Sequence, residues 1–426
     1  MSLIKTSLLS LIATGIKVLT GLVILKVVAL YLGPAGIAQL GQFSTLINIL
    51  AVIAGGGIGL GVIKYVAEYA AIKAPQKLQM FLKSSLAYTL CFSLLTAIIT
   101  LAFHRYFSIW VLGSAKYADL IMYTAISQIF MAINLLLMAI LNGFKQIGRM
   151  TLISVLSSLF KLALIVILLR LYGVAGAFIG LISSQALVLF ISLTLVFRQH
   201  WFRYLFSLQV QWRHVRNLSH YSLMNIISTL IVPVSQIIVR QDLSHLFSWK
   251  SVGYWQAIIS VGDAYLMAVT FALTAYYLPR LSEISDLRSI KKEIFNGYKI
   301  IMPCVLISLL LVYVLRDFVL LVLYNDLFLR ARDLFFYQLL GDFFRIGGWL
   351  FTYLLLAKMR TKVYICTEVI VGVVFVALSH YMARKFGLIG VTYSFSLTYF
   401  LYWILMVSIG ISYFRKESRC ATTNSP

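Results

Sequence analysis

The chain has 426 residues, of which 61% are hydrophobic and 12% are charged, and its mean hydropathy is +0.94. This composition excludes an ordinary soluble protein and indicates a polytopic membrane protein. A net charge of +23 would suggest nucleic-acid binding in a soluble protein, but no basic run here is interleaved with aromatic residues on a soluble face. Nucleic acid is therefore not an expected partner.

Apolar runs of about 20 residues, each long enough to cross a ~30 Å hydrocarbon layer as a helix, recur along the whole chain. They predict twelve transmembrane helices, at residues 8–32, 38–62, 82–103, 118–141, 150–171, 174–197, 218–239, 252–277, 299–323, 333–357, 363–383 and 388–413. The first run is longer than the apolar core of a signal peptide and carries Lys17, so we expect an uncleaved span. We expect an all-α polytopic membrane protein without a sizeable soluble domain.

The distribution of basic residues predicts the orientation. With the N-terminus in the cytoplasm, 22 of the 36 Lys and Arg residues fall on the cytoplasmic side, ten fall outside and four lie within spans. Cytoplasmic loops of membrane proteins carry an excess of Lys and Arg. Both termini are therefore predicted to be cytoplasmic.

Two short motifs recur at a similar offset and indicate an internal repeat. Gly36-Ile37-Ala38-Gln39 matches Gly253-Tyr254-Trp255-Gln256 at an offset of 217 residues, and Tyr172-Gly173-Val174-Ala175-Gly176 matches Phe386-Gly387-Leu388-Ile389-Gly390 at 214. Since each half holds an even number of spans, the halves should be related by a pseudo-two-fold axis along the membrane normal. We expect two six-helix lobes enclosing a central cavity, with these boundaries: an N-terminal lobe 1–197, a cytoplasmic linker 198–217, a C-terminal lobe 218–413 and a cytoplasmic tail 414–426.

Four cations lie inside apolar runs rather than between them: Lys17, Lys26, Lys161 and Arg345. A charge at the middle of a bilayer costs roughly 2.5–3.5 kcal/mol on insertion scales, so such residues usually face a water-filled cavity or a partner. We expect a cationic cavity that receives an anion. The alternatives are that Lys26 extends to the membrane interface and that Lys17, Lys161 or Arg345 forms an internal ion pair without a ligand.

Three acids also fall in spans. Asp342 precedes Arg345 by three positions and shares its helix face, so a local ion pair is expected there. Asp263 is interpreted either as the partner of a cation or as a protonatable coupling group. Glu368 lies nearer the cytoplasmic end, where Arg360 or Lys362 could neutralise it.

Motifs for catalysis or metal binding are missing from the sequence. The six histidines are scattered without metal-ligand spacing, and there is no Walker lysine, nucleophile elbow or Cys-x-x-Cys. We therefore predict a transporter, not an enzyme, without a cofactor or metal.

Several segments together resemble the Wzx flippases of enteric bacteria, which handle lipid III or O-antigen units. The resemblance covers residues 1 to about 413 and rests on these segments: Gly33-Pro34-Ala35-Gly36, Lys64-Tyr65-Val66-Ala67, Gly253-Tyr254-Trp255-Gln256, Asp263-Ala264-Tyr265-Leu266, Leu278-Pro279-Arg280-Leu281, Leu315-Arg316-Asp317-Phe318, Arg332-Asp333-Leu334-Phe335 and Gln338-Leu339-Leu340-Gly341-Asp342.

The resemblance implies a MATE-like member of the multidrug/oligosaccharidyl-lipid/polysaccharide exporter superfamily in the bacterial inner membrane. Its substrate would be an undecaprenyl-pyrophosphate-linked oligosaccharide, turned from the cytoplasmic to the periplasmic leaflet by alternating access. Membrane lipid, and the polymerase and chain-length regulator of the same pathway, would be its other partners.

Onto this chain the resemblance places cavity cations at Lys17, Lys26 and Lys64, and acids at Asp263, Asp342 and Glu368. Arg345 stands where the family has a basic residue, whereas Lys161 has no recognisable counterpart. Three other functions are alternatives, of which a purely structural membrane protein is disfavoured by the cost of the charges within the spans. A drug or cation antiporter of the same superfamily should have an acidic cavity, and an O-antigen polymerase should have larger outer loops.

Overall fold

The regular secondary structure of this computed structural model is entirely helical in the residues that it describes, which are 3–206, 212–284 and 286–423. The first half of the chain contains seven helices: α1 (Leu3–Ala54), α2 (Gly59–Ala71), α3 (Pro75–Ala102), α4 (His104–Leu112), α5 (Ala118–Gly143), α6 (Ile147–Val196) and α7 (Trp212–Leu246). The second half contains another seven: α8 (Trp249–Ala272), α9 (Leu278–Glu283), α10 (Leu287–Val314), α11 (Arg316–Leu323), α12 (Phe335–Ala357), α13 (Thr361–Phe386) and α14 (Ile389–Thr423).

Ten helices of this described part are long and apolar enough to cross a membrane. Two of them are far longer than one crossing requires, at 44 residues for Leu11–Ala54 and 50 residues for Ile147–Val196. Each is divided by a glycine with non-helical angles, Gly33 (φ 63°, ψ −162°) in α1 and Gly173 (φ 59°, ψ −136°) in α6. Glycine adopts a positive φ without the steric cost of a Cβ. The ten helices therefore accommodate the twelve predicted spans, and the prediction of a polytopic all-α membrane protein is confirmed.

One of the two repeated motifs has the same local structure in both halves. Gly387 has φ 71° and ψ −156°, close to the angles of Gly173. Three residues further on, a Cβ at Gly176 would lie 1.8 Å from the carbonyl oxygen of Leu168, and one at Gly390 would lie 2.1 Å from that of Met382. Both turns thus need glycine twice, once for the angle and once for the close approach.

The described residues form two compact units that meet within α7, one ending at Ile237 and the other beginning at Ile238. In unit 1, α1 packs against α6, and α5 packs against both α3 and α6. In unit 2, α12 packs against α14 and α10, and α13 packs against α14. The predicted lobe boundaries stay a prediction. Of the predicted linker 198–217, residues 207–211 lie outside the described residues, as do the last three residues of the predicted tail 414–426, into which α14 extends.

Candidate functional site: two charge clusters

Unit 2 gathers the charged residues of its spans around α12, where α8, α12 and α14 come close together. A Cβ on Gly341 would lie 2.4 Å from a ring carbon of Phe395 on α14, so glycine is required for this approach. On the α8 side, a Cβ on Gly262 would lie 3.4 Å from Oδ2 of Asp342. Asp342 is fully buried as a result.

The buried carboxylate of Asp342 has partners on both sides. The hydroxyl of Tyr265 on α8 donates to Asp342 Oδ2 at 2.5 Å, and Arg345 Nη1 lies 3.9 Å from Asp342 Oδ1. A further side-chain hydrogen bond comes from Gln338, one turn earlier on α12. The local ion pair expected from the i, i+3 spacing is therefore present, and a buried carboxylate with an opposite charge nearby costs less than an isolated one, although Asp342 Oδ1 accepts no direct hydrogen bond among the described residues.

Arg345 is held by aromatic rings as well as by carboxylates. Its guanidinium carbon lies 5.0 Å from the ring centroid of Trp349 and 5.1 Å from that of Tyr399, distances typical of cation–π contacts. Asp263 and Glu368 also lie within electrostatic range of this arginine. The Arg345 side chain is only 19% exposed. Arg345 therefore has a carboxylate and two aromatic rings as close neighbours inside unit 2.

Asp263 faces a second arginine that the sequence analysis missed. Its side chain is exposed on α8, and it lies within electrostatic range of both Arg240 and Arg345. Arg240 is 2% exposed, on a stretch of α7 where Ile237 and Val239 are also buried. Because the predicted span 218–239 ends just before it, Arg240 is counted in the sequence among the ten cations outside the membrane. The one feature of the sequence that could have indicated its burial is that it directly follows an apolar run.

Glu368 completes the cluster from α13. It is partly buried, forms a side-chain hydrogen bond with Tyr402 and interacts electrostatically with Arg345. Tyr402 is in turn 2.5 Å from the hydroxyl of Thr352. Unit 2 therefore brings all three predicted acids together around Arg240 and Arg345. If every group is ionised, this cluster carries one excess negative charge.

Unit 1 has a different arrangement, in which the two interacting charges inside apolar helices are both positive. Lys161 on α6 lies within electrostatic range of Lys17 on α1, so the two ammonium groups repel. Each lysine lies 14 residues beyond the first residue of its helix, or about 21 Å along the axis. Among the described residues, no carboxylate lies within 4 Å of either ammonium group, and the two acids of this half of the chain, Glu68 and Asp119, are both exposed.

Lys26 and Lys64 do not join this pair. α1 keeps helical angles between Lys17 and Lys26, and nine residues correspond to two and a half turns, so the two side chains leave opposite sides of the helix. Lys64 is exposed on α2, with its ammonium group 5.4 Å from the ring centroid of Tyr65. Of the four cations predicted for unit 1, the structure thus brings together Lys17 and Lys161. Among the described residues, no three His, Cys, Asp or Glu side chains are grouped so that they could hold a metal ion.

Comparison with known proteins decides the family. Residues 3–285 match the model of a family described as "Polysaccharide biosynthesis protein". The chain is also 32% identical over 418 residues to the lipid III flippase of Escherichia coli strain K12, covering 98% of this chain and all of the relative. The protein belongs to this polysaccharide biosynthesis family.

Solved structures show which fold this family member adopts. An inward-facing MATE family multidrug transporter of the MOP superfamily superimposes with a TM-score of 0.78 at 14% identity, over 99% of this chain and 100% of that one. The lipid II flippase MurJ in an inward closed conformation superimposes with a TM-score of 0.73 at 16% identity, over 95% of this chain and 87% of that one. The predicted MATE-like fold is confirmed.

Proposed function

We propose that this protein is a flippase that translocates an undecaprenyl-pyrophosphate-linked oligosaccharide from the cytoplasmic to the periplasmic leaflet of the bacterial inner membrane. The observation that carries this proposal is the 32% identity with a lipid III flippase over the full length of that protein. The transport would use alternating access, and enterobacterial common antigen or O-antigen units would be the substrates.

The lysine pair of unit 1 supplies a physical reason for an anionic headgroup. A pyrophosphate carries about two negative charges at neutral pH, and charge-assisted hydrogen bonds to ammonium groups are among the strong ones. We propose that Lys17 and Lys161 bind this group, because their mutual repulsion is relieved when an anion lies between them. Lys26, Lys64 and Arg345 are proposed as further cations along the path of the headgroup.

The carboxylates of unit 2 are proposed to have two different roles. Asp342 is buried and held by Tyr265 and Arg345, which suits a fixed counter-charge. Asp263 is exposed while facing two arginines, which suits a group that exchanges a proton or changes partner during transport. Glu368 is proposed as the second candidate for such exchange.

The charge distribution disfavours export of organic cations. Residues 1–237 contain 17 Lys and Arg but only two Asp and Glu, whereas residues 238–426 contain 19 and 11. A cation entering unit 1 would be repelled by Lys17 and Lys161. An anionic headgroup meets attraction there, so the flippase is the better-supported function.

Deletion of the gene tests the proposal. The lipid-linked oligosaccharide should accumulate on the cytoplasmic leaflet, the corresponding surface polysaccharide should disappear, and a plasmid copy should restore both. Normal surface polysaccharide in the deletion strain, with no accumulated lipid-linked intermediate and no second flippase gene, would contradict it. Co-purification from native membranes tests the proposed association with the polymerase and the chain-length regulator.

The proposed orientation can be tested on the same protein. Cys91, Cys304 and Cys366 are exposed, so all native cysteines are first replaced by serine. A single cysteine at the exposed Ser248 should then react with an impermeant thiol reagent in intact cells, and one at the exposed Ser289 should react only after lysis. The reverse pattern would place both termini outside.

A further inference from the structure

The first three turns of α10 have two chemically different faces. Ile290 and Ile294 are buried on one side and lead to the buried Met302. On the other side lie four exposed cations and one aromatic ring that is 69% exposed: Arg288, Lys291, Lys292, Lys299 and Phe295. We call these five residues the basic face of α10. Four of them, at 288, 292, 295 and 299, follow the i, i+4, i+7, i+11 spacing of a single line along a helix.

The nearby acids leave most of this face uncompensated, although the exposed Asp286 lies within electrostatic range of Arg288. Glu293 points elsewhere and lies 3.9 Å from Arg280. Asp286 caps α10, accepting the backbone N–H of Ser289 at 2.8 Å, and this hydrogen bond holds the pKa of its carboxyl below the usual value. The charge of Asp286 is thus engaged with the helix N-terminus. Among the described residues, no carboxylate lies within 4 Å of any of the four cations.

The same line continues into the lipid-facing side of the span. α10 belongs to the apolar segment Leu287–Val314, and in its later turns the exposed residues of this line are apolar. Leu306 is 46% exposed, Leu310 54% and Val314 73%. One continuous surface is therefore apolar where it would meet acyl chains and basic, with an exposed aromatic ring, where it would meet headgroups. Aromatic and basic residues are enriched at such interfaces.

The corresponding helix of unit 1 carries a smaller basic surface, with an exposed Lys77 in its first turn. α3 also has 28 residues, but counted from the first residue of each helix it carries Gln76, Gln79, Met80 and Ala87 where α10 carries Arg288, Lys291, Lys292 and Lys299. At the position of Phe295 it carries Lys83, which is only 7% exposed. The line of four exposed cations around an exposed aromatic ring is therefore a feature of α10 that α3 does not share.

We propose that the basic face of α10 is a docking site for the headgroups of anionic phospholipids in the adjacent leaflet. Their phosphodiesters supply the anions for the four cations, and their acyl chains lie along Leu306, Leu310 and Val314. The sequence analysis predicts this end to be cytoplasmic, where anionic lipid attracts polybasic segments at the membrane surface. The proposal does not depend on the transported substrate.

Lipid binding to the purified full-length protein tests this directly. The probes are fluorescent phosphatidylglycerol and phosphatidylcholine, titrated in detergent at low and high salt. In the variant Arg288→Gln/Lys291→Gln/Lys292→Gln/Lys299→Gln, the affinity for phosphatidylglycerol should fall at least tenfold and its salt dependence should flatten, because about fivefold is expected per surface cation. The affinity for phosphatidylcholine should not change.

Two control variants make the result specific. Lys250→Gln/Arg330→Gln/Arg384→Gln/Lys385→Gln removes four exposed cations from the opposite end of unit 2 and should keep the wild-type affinity for phosphatidylglycerol. Lys291→Arg/Lys292→Arg preserves charge and should also keep it. The proposal is overturned if the α10 variant, monodisperse and with the wild-type thermal midpoint, binds phosphatidylglycerol like the wild type. It is equally overturned if both fourfold variants lose the same affinity.

Discussion

The lysine pair of unit 1 and the arginines of unit 2 both place positive charge in apolar helices, but they differ in whether opposite charges lie nearby. Lys17 and Lys161 have each other nearby and no carboxylate within 4 Å among the described residues, whereas Arg345 has a carboxylate at 3.9 Å and two aromatic rings. A cation that is satisfied within the protein gains little from a ligand. A pair of repelling cations gains the full attraction of an anion.

This difference distinguishes residues that the sequence predicts equally as cations facing a cavity. Lys17, Lys161 and Arg345 looked alike because each interrupts an apolar run. The structure divides them by their surroundings, since a buried ion pair mainly satisfies its own members and is weak evidence for stability or binding. We therefore propose that ligand binding depends first on unit 1 and expect unit 2 to tolerate the loss of a complete pair.

The largest effect is expected from reversing a charge in the lysine pair. Lys161→Glu would pair with Lys17 and remove the attraction for an anion, so oligosaccharide export should fall by about 100-fold or more, given about 1.5–3 kcal/mol per charge-assisted contact. Export is measured as surface polysaccharide per unit of flippase in the membrane. Lys161→Arg should retain most activity, and Lys116→Glu, the same reversal at an exposed site of unit 1, is the matched control. Wild-type export by Lys161→Glu would remove the lysine pair from the mechanism.

The next largest effect concerns the stability of the protein. It compares a variant that loses one member of the Asp342–Arg345 ion pair with a variant that loses both. Asp342→Asn leaves Arg345 without its nearest carboxylate and should destabilise the protein by about 3 kcal/mol, because an uncompensated buried charge is costly. Asp342→Asn/Arg345→Gln removes both charges and should recover most of that loss. Thermal unfolding in detergent measures both.

The outcome of that comparison also bears on transport. If the double variant is stable but exports nothing, Arg345 contacts the substrate after all, and the contrast between the two units is wrong. If it is stable and exports oligosaccharide, Arg345 is a neutralised structural cation.

A smaller effect is expected at Asp263. Asp263→Asn keeps the size of the side chain but leaves Arg240 and Arg345 with one carboxylate fewer, so export should fall about tenfold. In a counter-charge role, adding Arg240→Gln should restore part of the export, as coupled residues do in a double-mutant cycle. In a proton-exchange role, the double variant should stay impaired and its export should no longer respond to external pH. Undiminished export by Asp263→Asn at every pH would exclude both roles.

The sequence was sufficient where the relevant partner is close along the chain. The i, i+3 spacing predicted the Asp342–Arg345 pair, and the positions of Gly33 and Gly173 between apolar runs agree with the turns that divide α1 and α6. It failed for Arg240, because only the packing of α7 shows that this arginine is buried.

The contacts that these charged residues make with other helices could not be predicted from the sequence either. Tyr265 and Tyr399 are two of 25 tyrosines, and nothing in their local sequence indicates that they contact Asp342 and Arg345. Lys161 was recognised as unusual, but its approach to Lys17 depends on how α6 packs against α1. The hydrophobic periodicity and composition of a sequence predict which face of a helix is buried. Which residue of a neighbouring helix contacts that face is known only from the tertiary structure.

The smallest predicted effect tests whether the charge cluster of unit 2 is held together by hydrogen bonds as well as by ion pairs. Tyr265→Phe removes the hydroxyl that donates to Asp342 Oδ2 but keeps the ring in place. One hydrogen bond to a charged group contributes about 1.5–3 kcal/mol, and the remaining contacts of Asp342 with Arg345 and Gln338 should offset part of this loss. We therefore expect a decrease in the free energy of unfolding of about 1–2 kcal/mol, with export within about twofold of the wild type. Tyr276→Phe, at a side chain that is 67% exposed on the same stretch of chain, is the matched control and should change neither quantity. A much larger loss of export than of stability in Tyr265→Phe would mean that Asp342 takes part in transport directly, so that unit 2 is more than a neutralised scaffold.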